Sequence, residues 1–144
     1  MALRVVLDTN VVVAGLRSRS GASAVILDLV ERGELHAVVN APLLEEYEEV
    51  LSRPEQRRAH GLSEEDLRRF LRGLLDAAEL VATRLDRRLV LARDPSDAAV
   101  AEAAIDAEAD YLVTHNLRHF GEVAGVVPVV APGGLLRVVA RRER

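Results

Sequence analysis

Arg4-Val5-Val6-Leu7-Asp8-Thr9-Asn10-Val11 decides how the rest of the chain is read, because a hydrophobic run there ends in a carboxylate followed by two small polar residues. Such a run reads as a buried strand. In a parallel α/β sheet the carboxyl ends of the strands are where ligand sites gather, so Asp8 would stand at the rim of one. Asp8 or Asn10 could equally do no more than cap the turn into the next helix. This stretch alone leaves both readings open.

Outward from it, residues 20–32 carry Ala24, Ile26, Leu27, Leu29 and Val30 at mixed three and four spacings and stop before Gly33. That predicts a helix with a glycine stop. Residues 36–40 read as a short strand. Pro42, after Asn40 and Ala41, opens a helix whose Leu43, Leu44, Tyr47, Val50 and Leu51 fall in one stripe. At roughly 100° per residue, Glu45 and Glu49 point about opposite that stripe, while Glu46 and Glu48 flank its two edges. Only the flanking pair can reach a site at the border of the core, and the wheel does not choose between them. A solvated face is the plain alternative for all four.

Residues 52–61, with Pro54 and the Arg57-Arg58 pair, read as a polar connection. Residues 63–80 read as a helix that opens on Glu64, Glu65 and Asp66, where the helix dipole favours acids. Its face of Leu67, Phe70, Leu71, Leu74 and Leu75 looks structural or like a surface for a partner. Residues 89–92 form a candidate strand leading into Arg93-Asp94-Pro95-Ser96-Asp97. Asp94 is suited to cap a helix that has Pro95 at its first position. Asp97 then falls at the centre of the stripe made by Val100, Ala101 and Ala104, and a carboxylate at the core-facing start of a helix needs a partner.

Residues 110–114 read as another strand, with His115 to Phe120 as the turn after it, again at the rim. Residues 126–130 read as the last strand, followed by a short apolar helix after Pro132-Gly133-Gly134 and a basic tail over 141–144. The alternation of strands and helices predicts an α/β three-layer sandwich, with a central parallel sheet of four or five strands covered on both faces.

Composition bounds the chemistry. At 144 residues the chain is expected to be one domain, 1–144, long enough to bury its own core. It has no cysteine, which removes disulfides and thiolate metal ligands and is compatible with a reducing cytosol. No apolar run approaches the roughly 20 residues of a membrane span, so a soluble, cytoplasmic protein is expected, with no membrane partner. All nineteen basic residues are Arg, a bias assigned mainly to base composition of the genome. A net charge of -4 argues mildly against nucleic acid as a partner. Carboxylates gathered around divalent cations would reverse the local sign of the field, however, so net charge does not decide the question.

Asp8, Glu46, Asp97 and Asn116 can converge on one end of such a sheet. Bare carboxylates that close hold their protons more tightly unless a cation neutralises them. Oxygen ligands without Cys or His-rich spacing favour Mg²⁺ or Mn²⁺ over zinc. Such ions suit in-line hydrolysis of a phosphodiester.

Four stretches in this order resemble a PIN-domain ribonuclease of the VapC toxin type. They are Val6-Leu7-Asp8-Thr9-Asn10-Val11, Leu44-Glu45-Glu46-Tyr47-Glu48-Glu49-Val50-Leu51, Arg93-Asp94-Pro95-Ser96-Asp97, and Ala109 to Asn116 followed by His119-Phe120. The resemblance runs along nearly the whole chain. It implies a metal-dependent endoribonuclease that uses Mg²⁺ or Mn²⁺, with RNA as substrate, an antitoxin protein as partner, and a homodimer as a compatible state. It carries the catalytic, metal-binding carboxylates onto Asp8, Glu46 and Asp97, with Thr9, Asn10 and Thr114 as polar neighbours that orient them. Many family members have a fourth acid after the fourth strand, where this chain offers Asn116 or His119. Asn116 can ligate a hard cation through its carbonyl oxygen but brings no charge, and Asp94 is a further compensating acid. His36, His60, His115 and His119 read as structural or surface residues.

Two other enzyme classes fit less well. A phosphotransferase with Asp8 as nucleophile wants a second Asp where Asn10 stands, and the absence of lysine excludes a P-loop. A non-catalytic PIN-like module that binds RNA or protein is the competing reading.

Overall fold

The computed structural model describes residues 2–82 and 95–143, with only the backbone of 95 and 96. The candidate strand at 89–92 and the cap assigned to Asp94 lie outside them. Five parallel strands, β1 (Leu3–Leu7), β2 (Leu35–Val39), β3 (Glu79–Leu80), β4 (Tyr111–Val113) and β5 (Val129–Val130), form one sheet in the order β3-β2-β1-β4-β5. The helices are α1 (Thr9–Arg17), α2 (Ala22–Glu31), α3 (Ala41–Leu51), α4 (Pro54–His60), α5 (Glu64–Ala77), α6 (Pro95–Asp106) and α7 (Pro132–Arg142). They cover both faces of the sheet in a three-layer sandwich. Val5, Val6 and Leu7 of the central strand are buried without alternation, as a strand covered on both sides requires.

The chain builds outward from β1 to β2 and β3, then returns to place β4 on the other side of β1. The β1/β4 border is therefore the switch point of the sheet, where the loops part and leave a crevice. Asp8 leaves β1 at this border and Thr114 leaves β4, with the Asp8 backbone N–H on the Val113 carbonyl at 2.9 Å.

Helix α2 ends as its glycine announces. Gly33 takes a φ of 76°, and the Glu34 and Gly33 N–H groups return to the Leu29 and Val30 carbonyls at 2.8 and 3.1 Å. Helix α3 starts from Asn40, whose side-chain oxygen accepts from the Leu43 N–H at 2.9 Å. The Asn40 amide also donates to the Ala99 carbonyl of α6 at 3.0 Å, so one fully buried residue ties together the two helices that carry Glu46 and Asp97. Asn40→Ala removes the cap and this bridge. It is expected to cost about 2–3 kcal/mol in chemical denaturation. A loss within experimental error would mean the two bonds contribute nothing net.

Four boundaries differ from expectation. Residues 52–61 are not a plain connection, since Pro54–His60 form α4. None of its residues is buried, so there was no apolar stripe to read. Pro54 at the first turn, Glu55 beside it, the basic residues of the last turn and Gly61 at φ 70° define it instead. Helix α5 stops at Ala77 rather than near Leu80, because Glu79 and Leu80 pair with Val38 and Val39 of β2. The last strand is limited to Val129–Val130. Val126 and Val127 bond back to the Val123 carbonyl at 2.8 and 3.0 Å, closing a 3₁₀ turn over Val123–Gly125. The basic tail is in part helical, since α7 includes Arg141 and Arg142.

Candidate active site

Asp8 is both a rim residue and a cap. Its Oδ1 accepts from the Thr9 N–H at 2.8 Å as α1 begins, and its Oδ2 accepts from the Thr114 hydroxyl at 2.7 Å across the switch point. It is only 6% exposed. Burial raises its pKa above the ordinary carboxylate value, and the nearby Asp97 charge adds to the rise. The hydrogen bonds from Thr114 and Thr9 and the charge of His119 oppose it.

The sheet and α1 decide among the glutamates of α3. Glu45, Glu48 and Glu49 are exposed, and Glu49 pairs with Arg53 at 2.9 Å on the outer face. Glu46 is partly buried and accepts a hydrogen bond from the Thr9 hydroxyl. Its neighbour Tyr47 is the anchor. The Tyr47 phenol is buried and donates to the Leu7 carbonyl at the end of β1. Burial, then the charges of Asp8 and Glu46, push that phenol well above its ordinary pKa, so it stays a donor. Glu46 is itself raised, first by burial and then by Asp8, Asp97 and Glu49, against the Thr9 bond.

Asp97 stands in the first turn of α6, whose Val100, Ala101, Ala103 and Ala104 are fully buried. The helix packs against β1, β2, β4 and α3, and small alanine side chains allow that approach. Asp97 is 8% exposed. Its partner is His119, with Nδ1 at 3.0 Å from Asp97 Oδ2. The sequence offers His119 both as a candidate for the fourth-acid position and as a structural or surface histidine. His119 stands on a 3₁₀ turn, Leu117–Phe120, held by the fully buried Phe120. An Asp three residues after a rim Asn would have signalled this position; a His there carries no such signal.

The other expected residues divide. Thr9 and Thr114 touch the carboxylates directly. Asn10 does its work elsewhere, its side-chain oxygen accepting from the His115 N–H at 3.3 Å and tying α1 to the loop after β4. Asn116 is exposed. Its N–H donates to the Thr114 hydroxyl at 2.9 Å and its carbonyl accepts from the His119 N–H at 3.0 Å, so its backbone shapes the loop. His115 Nε2 lies 3.2 Å from the Ser23 hydroxyl at the start of α2.

Asp8, Glu46 and Asp97 thus stand near enough for their charges to act on one another, and Asp8 and Glu46 are held above their ordinary pKa first by burial and then by neighbouring carboxylates. Among the described residues no group of three or more His, Asp or Glu side chains is gathered tightly enough to hold an ion as it stands. The donors are nonetheless hard carboxylate and hydroxyl oxygens with one imidazole at the mouth, a set whose chemistry fits a divalent cation. A cation there would offset the burial, and after it the carboxylate repulsion, that raise Asp8 and Glu46.

The same shift predicts a stability effect. Asp8 has its folded pKa raised above the ordinary 3.8, so between the two values the folded state binds more protons than the unfolded state. Stability from this group is full below the lower value and is lost as pH rises through the higher one. In chelator, the melting temperature of Asp8→Asn relative to the parent should therefore rise as the pH is raised from the ordinary carboxylate value through the higher, folded-state one. A pH-independent difference would mean that Asp8 titrates as it does in the unfolded chain.

An α/β sandwich with buried carboxylates at the switch point of its parallel sheet is the class the fold defines, and sequence comparison gives that class a name. The PIN-domain family model matches residues 4–118, and the chain belongs to the PIN-domain family. No curated protein matches it in sequence. Two solved structures share the fold. One is VapBC2 from Rickettsia felis bound to a DNA fragment from their promoter, with a TM-score of 0.61, 16% identity, and coverage of 90% of this chain and 98% of that one. The other is PAE2754 from Pyrobaculum aerophilum, with a TM-score of 0.61 and 16% identity, covering 97% of this chain and 90% of that one.

Proposed function

We propose that this protein is a metal-dependent endoribonuclease, the toxin of a toxin-antitoxin pair, acting as one cytoplasmic domain over residues 1–144. The observation that carries the reading is that Asp8, Glu46 and Asp97 act on one another's charge at the switch point, where burial raises Asp8 and Glu46 and the Thr114 and Thr9 hydroxyls orient these two. PIN domains are typically nucleases, which supports the reaction class. Asp8, Glu46 and Asp97 would hold Mg²⁺ or Mn²⁺, which supplies an activated water and neutralises charge developing on the phosphate. Thr114 and Thr9 keep the carboxylates turned toward the crevice. Tyr47 and Asn40 hold α3 against β1 and α6, which fixes the helices that carry Glu46 and Asp97 relative to each other.

A non-catalytic module is supported by what the resemblance implies, that Asn116 or His119 takes the place of a fourth acid. Digestion of a structured RNA with Mn²⁺, with and without EDTA, separates the two. Cleavage that EDTA abolishes supports the nuclease; binding without cleavage in any divalent ion supports the module.

The partner proposed is an antitoxin protein. The likeness to VapBC2 supports it, and a groove of about 680 Å³ between α1, α2 and α5 offers an apolar surface, with Leu16, Leu27, Phe70 and Leu74 on its walls. Co-purification with the product of a neighbouring reading frame is the test. Among the described residues no helix is long and apolar enough to cross a membrane.

A further inference from the structure

Of the two residues that stand in place of a fourth acid, only one touches the carboxylate set. Asn116 is exposed and contributes its backbone to the loop, whereas the His119 ring lies against Asp97 with Nδ1 3.0 Å from Oδ2. The fully buried Phe120 behind it fixes the turn, and the His119 side chain is still 44% exposed at the mouth of the crevice. Adjacent ligand atoms of an octahedral ion with bonds of about 2.1 Å stand about 3.0 Å apart. The spacing that serves the hydrogen bond also serves two neighbouring ligands of one ion.

We propose that His119 Nδ1 is a ligand of the same divalent ion as Asp97, so that this site takes a nitrogen where a fourth carboxylate would stand and favours Mn²⁺ over Mg²⁺. The inference rests on the metal-holding role proposed for Asp8, Glu46 and Asp97. Mg²⁺ demands hard oxygen ligands, while imidazole suits first-row transition ions, so an imidazole shifts the preference toward the latter. The hydrogen bond to Asp97 in the metal-free protein has the proton on Nδ1, and ligation has it on Nε2. His119 also brings no negative charge, which leaves Asp8, Glu46 and Asp97 to balance the ion.

The test is pulsed electron paramagnetic resonance on the full chain loaded with Mn²⁺, which reads directly bonded nitrogen. The expected spectrum of the parent carries a nitrogen coupling that His119→Ala removes and His115→Ala keeps. Titration should show Mn²⁺ affinity falling about tenfold or more in His119→Ala, the scale of losing a metal's supporting partner, with a smaller fall for Mg²⁺. His119→Asp should narrow the ratio of Mn²⁺ to Mg²⁺ affinity. His119→Gln serves if the alanine variant does not fold. Bound Mn²⁺ without nitrogen coupling overturns this inference and leaves the metal-dependent nuclease standing. Coupling that survives in His119→Ala or His119→Gln also overturns it. A parent that binds no Mn²⁺ overturns both.

Discussion

Asp8→Asn is expected to leave the circular dichroism spectrum unchanged and to lower RNA cleavage by at least about a hundredfold, the upper end of what removing a metal's supporting residue costs. The fold should survive because an asparagine oxygen can still accept from the Thr9 N–H that opens α1. The Thr114 hydroxyl, now a donor to Asp8 at 2.7 Å, can turn and accept from the new amide. What is lost is the charge at the switch point. Asp8 is 6% exposed at the end of β1, and a buried charge there would attract a cation strongly. Undiminished cleavage by the folded variant would remove Asp8 from the ligands and with it the proposed reaction.

The second large effect separates Glu46 from the three acids beside it. Glu46→Gln should lower cleavage by roughly tenfold to a hundredfold, while Glu45→Gln, Glu48→Gln and Glu49→Gln stay within about twofold of the parent. The physical difference is direction. Glu46 accepts from the Thr9 hydroxyl beside Asp8, whereas Glu49 is engaged with Arg53 on the solvent side of α3. An exposed ion pair of that kind contributes little to stability or to the field in the crevice. Equal losses for all four variants would show that the helix acts only through its summed charge.

The strand ending in Asp8, the glycine stop at Gly33, the stripe of α3 and the inward position of Asp97 were all legible from the chain. Each is a matter of residues within one or two turns of each other, where periodicity and backbone preference dictate which side faces the core. The family resemblance, shown by the match over residues 4–118, rested on the same local motifs. The helix α4 and the strand β3 were not legible. One has no buried face, and the other extends for two residues because β2 offers it an edge.

The site divides along the same line. Periodicity confined the choice on α3 to Glu46 or Glu48 and could go no further, since both flank the stripe. The decision belongs to Thr9, 37 residues away, which lies on Glu46's side. Asp8 finds Thr114 across 106 positions and Asp97 finds His119 across 22. The sequence by itself determined which carboxylates point toward the core of their own elements. Only the tertiary structure decided which of them meet, because the order of the parallel strands brings the ends of β1 and β4 and the starts of α1 and α6 to one crevice, and no local preference encodes that order.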